Sequence, residues 1–261
     1  MSVTVLHLTD FHLYADAGAT IKGIVSRESF EAVLDQASET HAEAKVMVLG
    51  GDLAQDESLP TYRWLAQCLR QYDFKYLVTP GNHCKLDRLR EGLEIPLCGN
   101  GPRSLDIGGW RILGLNTHWK GRVGGMLSND ELAWMDQELQ HAEHVLIAMH
   151  HHPFPTGSAW LDDIALNNAH DFWQLIQRHD NVRGIVCGHV HQAIDDWRDR
   201  IRLMSTPSTC IQFKPCMPNF ALDNASPGYR WICLDDSGSL ETGVVRIEGF
   251  IPPDLSDTSE Y

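Results

Sequence analysis

The sequence predicts an α/β fold in which two packed, mixed β-sheets are flanked by α-helices. Five strongly apolar segments, residues 3–8, 46–49, 76–78, 145–149 and 185–187, each run directly into a short polar motif. Amphipathic helical patterns alternate with them, and repeated strand–helix units point to a parallel sheet. Two apolar pairs flanking turn residues read as hairpins, and added hairpins imply a second sheet stacked on the first.

Taken in order, residues 3–8 form the first strand. Residues 26–39 form a helix, because Phe30, Val33, Leu34 and Ala37 recur at the i, i+3, i+4, i+7 spacing that faces a core. After the strand at 46–49, Pro60 sits in the first turn of a helix over 60–71, with Leu65, Cys68 and Leu69 inward. The strand at 76–78 leads to an irregular stretch at 96–102. Two apolar stretches within 103–116 flank Gly108-Gly109 and read as a hairpin. Ser128 and Glu131 form a capping-box pattern ahead of Leu132, Met135 and Leu139, giving a helix before the strand at 145–149. Phe172, Leu175 and Ile176 mark a fourth helix before the strand at 182–187. Residues 214–228 are irregular and long enough to be a lid or a contact surface. A second hairpin turns at Asp236-Ser237-Gly238, and the polar, acidic tail 252–261 is expected to fray. A chain of 261 residues, 43% hydrophobic, supports one sizeable core, so residues 1–251 read as a single domain.

The formal net charge is −14, from 35 acidic and 21 basic residues. That balance opposes binding to a polyanion, where affinity depends on Lys and Arg neutralising phosphates, so no nucleic-acid partner is expected. No run reaches the roughly 18 apolar residues of a membrane helix, and His7 and the polar triplet after it do not fit a signal peptide. The seven cysteines are odd in number, dispersed and free of Cys-x-x-Cys pairs, so a reduced cytoplasm is the expected setting. Monomer and homodimer remain open.

The polar motifs are Asp10-Phe11-His12, Gly51-Asp52, Gly81-Asn82-His83, His150 and Gly188-His189-Val190-His191. Ligands of open α/β sheets sit outside the carboxyl ends of the strands, which is where these residues fall. Oxygen donors mixed with imidazoles hold Fe, Mn or Zn in hydrolytic enzymes. Any one of these histidines alone would read as a capping or solvent-facing residue; the set together points to two metals. His7, His41, His118, His141, His144, His170 and His179 fit no ligand spacing, though His118 could line the pocket. Trp64, Trp110, Trp134 and Trp173 read as packing residues, and the Asp195-Asp196 and Asp235-Asp236 pairs as solvated turns.

On these motifs the chain resembles the calcineurin-like metallophosphoesterases, whose hallmark is D-x-H, GD, GNH, a lone His and GHxH in that order. The resemblance implies their four-layer sandwich. The flanking words Gly51-Asp52-Leu53-Ala54-Gln55-Asp56, His150-His151-His152-Pro153, Gly188-His189-Val190-His191-Gln192 and Ser208-Thr209-Cys210-Ile211-Gln212-Phe213 look like those of the bacterial class III cyclic-nucleotide phosphodiesterases. By resemblance, one metal is bound by Asp10, His12, Asp52 and His191, and the other by Asp52, Asn82, His150 and His189. Asp52 would bridge, since a carboxylate can neutralise both cations at the usual spacing of roughly 3.5 to 4 Å. His150 is preferred over His151 because it directly ends its strand and because the family binds the first His of its His-His-Pro-Pro word. His189 and His191, one residue apart, reach their metals either from an extended strand or from a turn that Gly188 permits. Many relatives carry an acidic residue after GNH, whereas Cys84 stands here, so an outer hydrogen bond to His83 is expected to be absent; Cys84 itself reads as a spectator.

The implied substrate is 3′,5′-cyclic AMP, hydrolysed to 5′-AMP. A hydroxide between the metals, its pKa brought toward about 7, attacks phosphorus in line. Asp52, Asn82, His83 and the histidine ligands would surround the phosphate, with Asn82 stabilising its oxygens and His83 protonating the departing 3′ oxygen. Trp160, Phe213 and the 214–228 loop are candidates for covering the base. Two divalent ions are implied, Fe2+ or Mn2+ foremost, with Zn2+ and Co2+ also compatible. The alternatives are a broader phosphodiesterase acting on 2′,3′-cyclic nucleotides or glycerophosphodiesters, a nuclease, and a noncatalytic binding module such as the retromer subunit that shares the fold.

Overall fold

A computed structural model describes residues 2–93, 103–250, 252–255 and 257. The first half contains β1 (Ser2–Leu8), β2 (Thr20–Ile21), β3 (Ile24–Val25), α1 (Ser26–Thr40), β4 (Val46–Leu49), α2 (Leu59–Leu69), β5 (Lys75–Val78) and α3 (Leu86–Gly92). There follow β6 (Ser104–Ile107), β7 (Trp110–Gly114), α4 (Asn129–Leu139), β8 (His144–Met149), α5 (Ala159–Asp162), α6 (Ala169–Ile176) and β9 (Val182–Cys187). The chain closes with β10 (Asp195–Arg198), β11 (Ile201–Ser205), β12 (Gln212–Phe213), β13 (Leu222–Asp223), β14 (Gly228–Asp235) and β15 (Leu240–Arg246).

Two mixed sheets result, in the orders β15-β14-β1-β4-β5 and β10-β11-β9-β8-β7-β6. The parallel strands β1, β4 and β5 lie in the first, and β7, β8, β9 and β11 in the second. Alternate side chains of each strand face opposite ways. On β1, Val5 points between the sheets, where it joins Val46, Val48, Leu146, Val186 and Met204 in one core. Leu6 and Leu8 point outward and pack with Phe30, Leu34 and Leu65 of α1 and α2. Beyond the second sheet, Ile147 and Ile185 pack against Met135 of α4 and Phe172 of α6. Helix, sheet, sheet and helix thus form four layers. Burial on both faces is why these strands read as continuous apolar runs in the sequence.

Several elements differ from expectation. α3 and α5 are 7 and 4 residues long, too short for an apolar stripe to show. Ser128 caps α4 by accepting from the Glu131 N–H at 3.1 Å. The Glu131 carboxylate does not return the bond; it accepts from the Asn116 N–H at 2.9 Å and pairs with Arg103. Asp195-Asp196 lies in the edge strand β10, where Arg202 grips the Asp195 carboxylate with two bonds of 2.7 and 2.8 Å, so it is not a turn. Asp235-Asp236 does turn, closed by the Gly238 N–H on the Asp235 carbonyl. Within 214–228, Leu222–Asp223 folds back as β13 onto β12, drawn by apolar contacts of Leu222 with Phe213 and Ile211. The tail is anchored in part: the Asp254 N–H donates to the Lys22 carbonyl, and Lys22 Nζ lies 3.0 Å from Asp257. The stretch 96–102 lies outside the described residues, as do residues 251, 256 and 258–261.

Candidate metal centre

Strands β1, β4, β5, β8 and β9 all end at one rim, and the eight residues singled out in the sequence meet there. Asp10, His12, His150, His191, Asp52 and His189 are buried, while Asn82 and His83 are half-buried. His191 Nε2 lies 3.2 Å from Asp10 Oδ1, and His12 Nε2 lies 3.3 Å from His191 Nε2. On the other side, His150 Nε2 is 3.2 Å from Asp52 Oδ2 and 3.3 Å from Asn82 Oδ1. Donor atoms of Asp10, His12 and His191, of Asp10, Asp52 and His150, and of His150, His151 and His189 each lie within 4.8 Å of one another.

The second layer of contacts fixes which nitrogen faces inward. His12 Nδ1 donates to Gln55 Oε1 at 2.6 Å, His150 Nδ1 to the Gly50 carbonyl at 2.7 Å, and His191 Nδ1 to the Ile211 carbonyl at 2.8 Å. In the neutral ring each Nε2 is then the unprotonated nitrogen, its lone pair turned toward the centre. Lone pairs on these nitrogens, the Asp10 and Asp52 carboxylates and the Asn82 carbonyl oxygen would repel one another without positive charge among them. His189 Nε2 is also buried, with no hydrogen-bond partner among the described residues. A donor set of this kind fits divalent cations.

His151 differs. Its Nδ1 bonds Thr117 Oγ1 at 2.7 Å and its Nε2 bonds the Val123 carbonyl at 3.0 Å, so both ring nitrogens are engaged. Its proximity to His150 and His189 places it in the cluster, with both nitrogens already bonded to protein groups.

The backbone is held in an uncommon state. Asp10, His12, Asp52, His189 and His191 all have positive φ, between 48° and 68°. Such conformations cost of order 1–3 kcal/mol each and persist where the surroundings over-determine them. Here the Asp10 N–H bonds the Gly51 carbonyl, the His12 N–H bonds the Asp52 carbonyl, and the His189 N–H bonds the Asp10 carboxylate at 3.0 and 3.2 Å. His189 and His191 therefore reach inward from a turn. Gly188 makes that turn fit, since a Cβ there would stand 2.0 Å from Thr9 Oγ1. Gly81 is as tight: its Cβ would stand 2.2 Å from Asp52 Oδ1. Behind the turn, buried Arg230 donates to the Ile194 and Ser205 carbonyls at 2.8 and 2.9 Å.

Without a cation among them, Asp52 and His150 hold each other in their charged forms. Burial opposes ionisation of Asp52, but the His150 and His83 imidazoles overcome it and hold the carboxyl well below its usual range. Burial likewise works against a charged His150, and the Asp52 carboxylate outweighs it, raising His150 to about 9. His7 on β1, bonded through Nδ1 to Thr206 Oγ1 at 2.7 Å, is instead pushed down to about 3 by burial, and burial lowers His152 as well. Their folded-state values lie below the unfolded value of 6.5, so the unfolded chain takes the proton first. The stability they contribute is present above pH 6.5 and is lost as pH falls toward about 3. His150 has the opposite sign: its contribution is complete below 6.5 and lost as pH rises through about 9. Metal-free protein is thus expected to show its highest urea midpoint near pH 6.5, declining on both sides; a midpoint flat from pH 7 to pH 4 would contradict this.

Cys84 is buried, and that burial, with Asp52 nearby, pushes its thiol up to about 12, so it stays neutral beside His83. A cavity of about 280 Å³ opens over the cluster. Asp52, Asn82, His83, His189 and His191 line one side, and Trp160, Phe213, Phe220 and Ile164 the other. Phe213 stacks on the His191 ring at 4.1 Å and 8°, and Trp160 meets Phe213 edge-on at 5.1 Å. His118 is half-buried and is not among the lining residues. Phe220 belongs to the 214–228 loop that the sequence offered for covering the base; sequence reasoning missed Val123, Asp163 and Ile164 on the cavity wall, and the Thr9 hydroxyl, which donates to Asp10 Oδ2 at 2.7 Å. Only Thr9 had a signal, its position beside Asp10.

Residues 3–193 match the family model of the calcineurin-like phosphoesterases. The chain is 36% identical to the 3′,5′-cyclic adenosine monophosphate phosphodiesterase CpdA of Vibrio vulnificus, over 98% of this chain and 95% of that protein. It is also 36% identical to the protein of the same name from Escherichia coli K12, over 94% of this chain and 90% of that one. Among solved structures, the purple acid phosphatase PPD1 of yellow lupin superposes with a TM-score of 0.68 at 13% identity, covering 100% of this chain and 53% of that one. That likeness concerns the fold alone.

Proposed function

From the premise that the chain belongs to the calcineurin-like phosphoesterase family, we propose that it hydrolyses 3′,5′-cyclic AMP to 5′-AMP with two divalent cations. The supporting observation is the buried convergence of lone pairs beside an aromatic-walled cavity, in a chain that matches two cyclic AMP phosphodiesterases over nearly its whole length.

One cation would be held by Asp10, His12, Asp52 and His191, and the other by Asp52, Asn82, His150 and His189. When bound, such a pair supplies Lewis acidity toward phosphate oxygens and lets a water lose its proton near neutral pH. Fe2+ or Mn2+ is our reading for the pair, since both accept this donor set. The protein's own groups do the rest. Asn82, on the cavity wall, hydrogen-bonds a nonbridging oxygen of the diester. The His83 N–H donates to Asp52 Oδ1 at 2.8 Å, and the His83 ring packs edge-on against His12 at 5.3 Å. These two contacts hold its imidazole at the wall, where it delivers a proton to the departing 3′ oxygen. Phe213, Trp160 and Phe220 exclude water on the far side and offer ring faces to a purine.

A cavity of this size, in a chain of net charge −14, suits a small cyclic diester better than a polynucleotide. Among the described residues no helix is long and apolar enough to cross a membrane and all six cysteines are free, which supports a reducing cytoplasm. The core shared by both sheets supports a single domain through residue 251.

The test is turnover of 3′,5′-cyclic AMP, 2′,3′-cyclic AMP and an aryl phosphodiester after reconstitution with Fe(II), Mn(II) or Zn(II). The 3′,5′-cyclic nucleotide is expected to have the highest kcat/KM. Efficient cleavage of the aryl ester without cyclic AMP turnover would leave the chemistry and remove the substrate.

A further inference from the structure

The wall of the cavity away from the metal cluster holds one charged side chain, Asp163, among Trp160, Ile164, Phe213 and Phe220. We propose that Asp163 selects the base of the nucleotide, its carboxylate accepting a hydrogen bond from the 6-amino group of adenine. This rests on the cyclic AMP reading above and goes beyond it by assigning the base-reading residue.

Asp162 and Asp163 are adjacent at the end of α5 yet are treated oppositely. Asp162 Oδ1 accepts from the Thr156 N–H at 2.7 Å and the Thr156 hydroxyl at 2.8 Å, and lies 3.7 Å from His152 Nε2. That pairing, the His152 contact above all, brings its pKa down to about 2. Asp163 is exposed and lines the cavity, and its carboxylate has no hydrogen bond or ion pair with any described residue. Its backbone N–H closes the helix on Ala159 at 3.1 Å, so the residue is fixed while its carboxylate stays unpaired.

A carboxylate on the wall of a pocket that takes an anionic diester disfavours the phosphate end of the ligand and favours a hydrogen-bond donor on its other end. Cyclic AMP carries donors in two places, the 6-amino group and the ribose 2′-hydroxyl. Ring positions decide between them. From His191, Phe213 is stacked at 4.1 Å and Trp160 stands 5.1 Å further on, with Asp163 one helical turn beyond Trp160 on the same face. The ribose is fused to the phosphate and stays by the metal cluster, whereas the base extends along this aromatic wall. The amine at its far edge is the donor that reaches Asp163.

The experiment compares wild type with Asp163→Ala and Asp163→Asn on 3′,5′-cyclic AMP, on its analogue lacking the 6-amino group, and on 2′-deoxy cyclic AMP. Calorimetric binding of 5′-AMP and of purine riboside 5′-monophosphate provides a readout independent of turnover. Wild type is expected to favour the amino compound about five- to ten-fold in both kcat/KM and affinity, the size of one charge-assisted hydrogen bond partly open to water. In Asp163→Ala that ratio should fall to about one, while the penalty for removing the 2′-hydroxyl stays as in wild type. An amino preference kept in the variant, or absent from wild type, overturns the proposal. So does a variant that loses the 2′-hydroxyl penalty instead, which would reassign the contact to ribose. Wild type that cleaves an aryl diester but not cyclic AMP would remove the substrate reading itself, an outcome distinct from intact cyclic AMP turnover with an unaltered ratio.

Discussion

Replacing Asp52 by Asn is expected to lower kcat/KM for 3′,5′-cyclic AMP by about 10³-fold or more while the protein stays folded. Asp52 faces both halves of the cluster, with His150 Nε2 3.2 Å from its Oδ2 and the His83 N–H on its Oδ1. The amide keeps the Oδ1 acceptor for His83, so the local turn survives. What it loses is the negative charge that offsets two cations and the second oxygen donor that lets one side chain serve both. Elemental analysis should therefore show fewer than two metal ions per chain together with the loss of turnover. Retention of two ions with activity within tenfold of wild type would remove Asp52 from the bridging role.

His83→Ala should separate substrates by their leaving groups. Cyclic AMP expels an alkoxide that needs a proton as it departs, and loss of a positioned general acid costs about 10² to 10⁴-fold. An aryl diester expels a phenolate that leaves without one, so its turnover should fall less than about tenfold. Metal content should be unchanged, because His83 lies outside both ligand sets. Equal losses on the two substrates would show that His83 positions or binds and does not donate the proton.

Much of the fold was legible because β4 and residues 145–149 of β8 are buried on both faces and read as unbroken apolar runs, β1 and β9 as mostly apolar ones, and because α1 and α2 carry a clear helical stripe. Their ends delivered the site, since a polar motif directly after a buried strand must lie at a rim. Short elements escaped. β10, β12 and β13 have 4, 2 and 2 residues and hold together through Arg202 and apolar contacts that no local pattern announces. Nor does residue type reveal the left-handed backbone at Asp10, His12, Asp52, His189 and His191; it follows from hydrogen bonds between loops distant in the chain. The groups orienting His150 and His191 are main-chain carbonyls of Gly50 and Ile211, which leave no trace in a sequence. Asp163 was invisible for a related reason: only the folded chain shows that its neighbour Asp162 is satisfied and it is not.

The central claim is that two cations share Asp52 at the rim where the strands end. The most direct measurement is anomalous diffraction from crystals of the protein reconstituted with Mn(II), collected on both sides of the manganese edge. Two anomalous peaks roughly 3.5 to 4 Å apart are expected, one among Asp10, His12, Asp52 and His191 and the other among Asp52, Asn82, His150 and His189. A single peak, or two peaks with Asp52 touching neither or only one of them, would contradict it.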